Sequence, residues 1–250
     1  MNFCFAALKN KFLAILAATL GACAAAEAGW ECERLPLADG GEGLLDCFGG
    51  ANRESTVTGP GGRSLQALWR LDGELAVIEM ARASGQSVAG PEHDPIEAAT
   101  RGTGELIAAA IDAGARQVIV GAGGSATTDG GLGAVNVLRG YAPLDGVGGP
   151  LVRVAADVTT GFLDAARVFA PQKGARPEQV GVLADRLRER AADYRDRFGV
   201  DVTKIAGAGA AGGLAGGLAA LGARIEVGFD VVAEQLHLAD RDRAVDLVVT

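Results

Sequence analysis

Gln117-Val118-Ile119-Val120-Gly121-Ala122-Gly123-Gly124-Ser125-Ala126-Thr127-Thr128-Asp129-Gly130-Gly131 is the stretch that decides the fold. A short β-branched run opens into glycine, hydroxyl and carboxylate residues, which predicts a strand feeding a loop. Leu132 to Leu138 reads as the start of a helix behind that loop. Upstream, Leu106, Ile107, Ala110 and Ile111 fall at helical spacing after Thr103, a candidate N-cap, and the pattern ends at Gly114. Helix, buried strand, loop and helix in succession predict an α/β sheet of the doubly wound kind. Backbone N–H groups and hydroxyls at the head of a helix suit an anion. Asp129 adds a carboxylate suited to Mg²⁺ or to accepting a proton. The same residues also serve a ligand-free turn, with Asp129 forming it and Ser125, Thr127 and Thr128 capping the following helix.

The recipe recurs. Leu35-Pro36-Leu37-Ala38-Asp39-Gly40-Gly41-Glu42-Gly43 repeats the order of apolar run, aspartate, paired glycine and carboxylate. Phe169-Ala170-Pro171-Gln172-Lys173-Gly174-Ala175 places a cation beside a turn, and Gly207-Ala208-Gly209-Ala210-Ala211-Gly212-Gly213-Leu214 is another backbone-rich loop. With Val57-Thr58-Gly59-Pro60, Val77-Ile78-Glu79-Met80-Ala81 and Gly102-Thr103-Gly104-Glu105-Leu106-Ile107, these motifs resemble, in order along the chain, the glycerate kinase family, which includes the bacterial glyoxylate-pathway kinases. The resemblance covers residues 34–135 and 165–250.

That resemblance implies ATP as donor, Mg²⁺ as metal and D-glycerate as the small-molecule acceptor. It also implies a cytoplasmic enzyme. Its fold would be a Rossmann/flavodoxin-like parallel sheet domain with a second, smaller inserted α/β domain. The first would take residues 1–50, 100–135 and 226–250, and the second 51–99 and 136–225, with substrate in the cleft between them. Asp39, Asp129 and Lys173 are the expected catalytic residues. Asp39 and Asp129 each follow a predicted strand and precede a glycine pair, so one is expected to hold Mg²⁺ and the other to orient the hydroxyl, in either order. Expected contacts to substrate or phosphate are Gly40, Gly41, Glu42, Gly123, Gly124, Ser125, Thr127, Thr128, Gly130, Asp157, Gly209 and Gly212. Bland alternatives stand beside several of these. Glu42 also fits a helix-dipole role, as does Glu105, Lys173 an exposed structural lysine, and Asp157 a turn cap.

The sequence departs from the family at four places. Leu13, Ala14 and Ile15 stand where the family has Lys-Gly-Ser, removing a donor and a charge. The family is longer between Arg139 and Val152, has Asn-Pro-Leu where Asp157-Val158-Thr159-Thr160-Gly161 stands, and continues beyond the final strand predicted at Ala244 to Val249. These departures keep a second reading in view, an impaired homologue that only binds a small anion or a partner. A third arises at residues 12–26, an apolar Ala-rich run after Lys9 and Lys11 that ends near Leu20-Gly21-Ala22-Cys23. It reads as a lipoprotein-type export signal or as a first helix over 17–28, following a strand at Asn2 to Ala7. The run is too short to span a membrane.

Composition narrows the classes. With 49% hydrophobic and 22% charged residues the 250-residue chain is globular. A net charge of −8 repels phosphate backbones, and 5% aromatics offers few stacking platforms, so no nucleic-acid partner is expected. Cys4, Cys23, Cys32 and Cys47 form no CxxC pair and only two histidines are present, which argues against a structural zinc site. The G-x-S-x-G elbow and the Gly-x-x-x-x-Gly-Lys-Ser/Thr loop are both missing. The sequence gives no oligomeric state.

Overall fold

The structure, a computed structural model, describes residues 2–5, 24, 26–243 and 245–249. The strands are β1 (Asn2–Phe5), β2 (Glu31–Arg34), β3 (Arg53–Thr58), β4 (Ser64–Asp72), β5 (Leu75–Glu79), β6 (Gln117–Gly121), β7 (Leu151–Ala156), β8 (Arg224–Val227) and β9 (Leu247–Val249). Among the helices, α1 (Leu44–Cys47), α2 (Ala81–Ser84) and α3 (Gln86–Ala89) are single turns. The others are α4 (Arg101–Asp112), α5 (Leu132–Leu138), α6 (Ala165–Phe169), α7 (Pro177–Phe198), α8 (Leu214–Ala220), α9 (Gly228–Gln235) and α10 (Leu238–Arg243).

Two sheets result. Six strands run in the order β3-β4-β5-β6-β7-β8, and β2-β1-β9 form a parallel trio. The α/β class expected from the alternation of elements is what the structure has. The larger sheet is mixed: β3, β4 and β5 are antiparallel neighbours, while β5 through β8 are parallel. Asp72-Gly73 begins the turn between β4 and β5, with Asp72 paired to Leu75 across it. β6 pairs with β5 and β7, so the 100–135 unit shares its sheet with the 51–99 strands and not with β1, β2 and β9.

Alternation along β5 to β7 sorts side chains onto two faces. Ala76, Ile78, Val118, Val120, Val152 and Val154 enter the larger core with α4, α5, α7 and α8. Val77, Ile119 and Ala155 enter a smaller one with Leu44 and Leu45 of α1 and Val231 and Val232 of α9. Arg153 points to that smaller side. Its guanidinium reaches Glu226 on β8 at 2.5 Å and Glu234 on α9 at 2.6 Å, tying α9 to the sheet edge.

Several boundaries differ from the sequence expectation. α4 starts at Arg101, after Thr100, so Thr103 is no cap; its buried hydroxyl instead donates to Ser84 Oγ at 2.8 Å. Glu105 is therefore past the first turn, and it accepts from the Thr58 amide at 2.7 Å rather than serving the helix dipole. The buried face of α7 runs through Leu183, Leu187, Ala191 and Tyr194, leaving Val182 47% exposed. The strand before Asp39 is Glu31–Arg34, not the proline-containing 35–38 run. The Leu13-Ala14-Ile15 segment, Cys23 and most of the 12–26 run lie outside the described residues.

Candidate active site

Parallel strands leave their loops at one edge, and ligands of open α/β sheets collect there. Here a cleft of about 220 Å³ opens past the carboxyl ends of β6 and β7. Asp39, Gly40, Gly41, Gly123, Gly124, Ser125, Asp157 and Lys173 of the expected set line it together. Gln86, Gln172, Phe169 and Ala211 line it too and were not singled out. Gln172 stands inside a quoted motif; Gln86, on a short exposed turn, carries no local signal.

The two glycine loops touch. The Gly123 amide donates to the Gly40 carbonyl at 3.2 Å, and the Gly41 amide donates to Asp39 Oδ1 at 3.3 Å. Gly40 has φ +92, and a Cβ on it would lie 2.4 Å from the Ala155 carbonyl oxygen. Only glycine lets the Asp39 loop settle on the end of β7. The Glu42 side chain is exposed beside Gly124.

Ser125 is the hub of the second loop. Its Oγ accepts from the Thr127 amide at 3.1 Å and receives the Lys173 ammonium at 3.3 Å. Lys173 Nζ also donates to the Thr127 carbonyl at 2.5 Å. The side chain is only 5% exposed, so the structural-surface reading of this lysine fails. Burial disfavours its charged form and lowers its pKa to about 7, with the Asp129 charge opposing the shift.

Asp129 is differently employed. Oδ2 accepts from the Thr100 amide at 2.9 Å, the Thr100 hydroxyl at 2.8 Å and the Gly133 amide at 3.0 Å, and Oδ1 accepts from the Gly131 amide at 3.0 Å. This carboxylate joins the heads of α4 and α5 and is not among the residues lining the cleft. Thr127, Thr128, Gly130, Gly209 and Gly212 stand one layer behind the wall. The Gly130 amide donates to the Gly212 carbonyl at 3.1 Å, and the Gly209 amide to the Thr160 carbonyl at 3.0 Å. The loop they brace carries Ala211 into the cleft at φ +53, a conformation uncommon for a residue with a Cβ.

No group of three or more His, Cys, Asp or Glu side chains gathers for a metal among the described residues. The cleft nevertheless holds two carboxylates, Asp39 and Asp157, whose oxygens suit a hard cation that keeps most of its ligands from water and phosphate. No described helix is long and apolar enough to cross a membrane.

These features define an α/β protein whose cleft, at the carboxyl edge of parallel strands, is walled by glycine-rich loops and furnished with two aspartates and one buried lysine. The glycerate kinase family matches residues 9–159 and 149–250, two segments that meet at β7. The chain is 39% identical to glycerate 2-kinase of Escherichia coli K12, across 86% of this chain and 66% of that protein. It is 37% identical to glycerate kinase of Haemophilus influenzae, across 87% and 67%. The crystal structure of putative glycerate kinase 2 from Salmonella typhimurium LT2 superposes with a TM-score of 0.83 at 35% identity, over 99% of this chain and 77% of that one. The chain belongs to the glycerate kinase family. It spans about two thirds of the length of the curated relatives it matches.

Proposed function

We propose that this protein transfers the γ-phosphoryl group of ATP to a hydroxyl of D-glycerate, giving phosphoglycerate and ADP. The observation that carries the reading is the convergence of Asp39, Asp157 and Lys173 with both glycine loops in one cleft, in a chain of this family. Phosphoryl transfer is mostly positioning and charge neutralisation, and these are the parts it needs. Two aspartates outnumber the single lysine, so the cleft by itself repels a nucleotide and a carboxylate substrate. That imbalance supports a requirement for Mg²⁺, held by Asp39, which when bound offsets charge on the phosphates. Lys173 stands as a point charge toward the transferring group and braces the Ser125 loop. Asp157 takes the proton of the attacking hydroxyl as its oxygen bonds to phosphorus and the bond from the γ-phosphorus to the bridging oxygen breaks. Gly41, Gly123 and Gly124 let phosphate or glycerate oxygens approach the backbone closely. The supply of ATP places the work in the cytoplasm.

The test is ATP-dependent formation of phosphoglycerate from D-glycerate by the 250-residue chain with Mg²⁺. Turnover that disappears in Asp39→Asn upholds the reading. A folded chain that binds nucleotide without turnover replaces it with that of a homologue that only binds.

A further inference from the structure

We propose that Glu79 is a positioning residue of this cleft: it seats the Asp39 loop, and through it the Asp39 carboxylate. The proposal rests on the kinase reading above. Glu79 is the last residue of β5, lies opposite Gly121 of β6, and is 3% exposed. Its Oε1 accepts from the Gly43 amide at 2.7 Å and the Leu45 amide at 3.1 Å. Its Oε2 accepts from Arg82 Nε at 2.7 Å.

The local sequence shows why a distant carboxylate is required. α1 begins at Leu44 with Gly43 at its N-cap, and glycine has no side chain to cap the first turn. Glu79, from another strand, supplies that acceptor. The Asp39 loop is therefore pinned at two points. The Gly40 carbonyl takes the Gly123 amide at one end, and the Gly43 and Leu45 amides meet Glu79 at the other. Asp39 stands at the first point, with one internal contact, from Gly41, shaping its side chain. Arg82 pairs with the second carboxylate oxygen, so Glu79 is partnered on both oxygens without drawing on the cleft's own cation. A carboxylate this buried, spent on two amides of a cleft loop, fixes a first-contact residue at second hand, and such partners alter metal affinity when removed.

The experiment measures Mn²⁺ affinity in the presence of ADP by electron paramagnetic resonance, and amide hydrogen exchange, for the wild-type chain, Glu79→Gln and Asp39→Asn. Glutamine keeps one weaker acceptor oxygen and puts an amide against Arg82, so the fold survives while the seat loosens. The expected result is Mn²⁺ binding about tenfold weaker in Glu79→Gln, with faster exchange confined to residues 39–45 and unchanged exchange in β6. A merely structural cap would lower the thermal midpoint and leave Mn²⁺ affinity alone. Wild-type Mn²⁺ affinity in Glu79→Gln, beside its loss in Asp39→Asn, overturns the proposal. If Asp39→Asn binds Mn²⁺ as wild type does, the metal role of Asp39 is what has failed. Exchange then decides the seating role: faster rates at 39–45 in Glu79→Gln uphold it, and wild-type rates overturn it.

Discussion

Lys173 Nζ lies 2.5 Å from the main-chain carbonyl oxygen of Thr127, and this contact joins the Pro171–Lys173 turn to the loop that leaves β6. It draws the ammonium out of water, and desolvation brings its pKa down to about 7. Between about 7 and the ordinary value of 10.5 the unfolded chain keeps a proton that the folded chain has released. Unfolding free energy therefore rises with pH across that window, and the burden is fully present below about pH 7. Lys173→Met removes the titration. Denaturant unfolding of both proteins as a function of pH should show the wild type gaining on the variant only above about pH 7. The full gain is on the order of 5 kcal/mol. A difference that stays constant across the window would mean that Lys173 remains charged in the fold.

Ligand binding should reverse that shift. Phosphate oxygens beside the lysine favour its charged form, so binding at about pH 8 takes up a proton that the free protein lacks. Calorimetric titration with MgADP in two buffers of different ionisation heat measures the uptake. The wild type should take up close to one proton, and Lys173→Met none. Equal values would place the phosphates away from Lys173.

Asp39 and Asp129 should separate cleanly on mutation, although they look alike in sequence. Asp129→Asn turns an amide toward four donors from Thr100, Gly131 and Gly133, and should lower stability by roughly 2–4 kcal/mol. Turnover per folded molecule should stay within a few fold. Asp39→Asn disturbs one local contact, from the Gly41 amide, and should change stability by less than about 1 kcal/mol, while turnover falls at least a hundredfold, the scale of losing one transition-state contact. Thermal unfolding and initial rates on the same preparations check both. A stable, inactive Asp129→Asn would restore that residue to the chemistry.

Legibility in the sequence followed the range of the interactions. The loop after β6 and the α5 helix were readable because β-branched run, glycines and apolar spacing all act within a few residues. The convergence of Asp39, Ser125 and Lys173 was legible only through family resemblance, since it depends on the loops after β2 and β6 meeting the turn that follows α6. Asp129 was ambiguous as a local pattern. The same Asp-Gly-Gly that suits a metal also suits a cap, and the deciding partner, Thr100, lies 29 residues away. Glu79 was visible in a motif but mute, because its amide partners sit 36 and 34 residues upstream. The mixed order of the large sheet was hidden for a similar reason: strand neighbours are chosen by packing across the whole chain, not by adjacent residues.

Gly40 and Gly50 offer the sharpest test of how the site is assembled. Both have left-handed backbones, at φ +92 and φ +82. A Cβ at Gly50 would meet no heavy atom within 4 Å, whereas at Gly40 it would lie 2.4 Å from the Ala155 carbonyl oxygen. Gly50→Ala thus bears backbone strain alone, about 1 kcal/mol. Gly40→Ala bears that strain and must also lift the Asp39 loop off β7, breaking the Gly123 contact, for a loss of about 3 kcal/mol or more. Turnover at a temperature where both variants are folded should be near wild type in Gly50→Ala and abolished in Gly40→Ala. Equal losses of stability, with turnover retained in both, would show that the loop can rebuild the cleft at a distance from β7. The backbone-to-backbone seat would then be incidental to the chemistry.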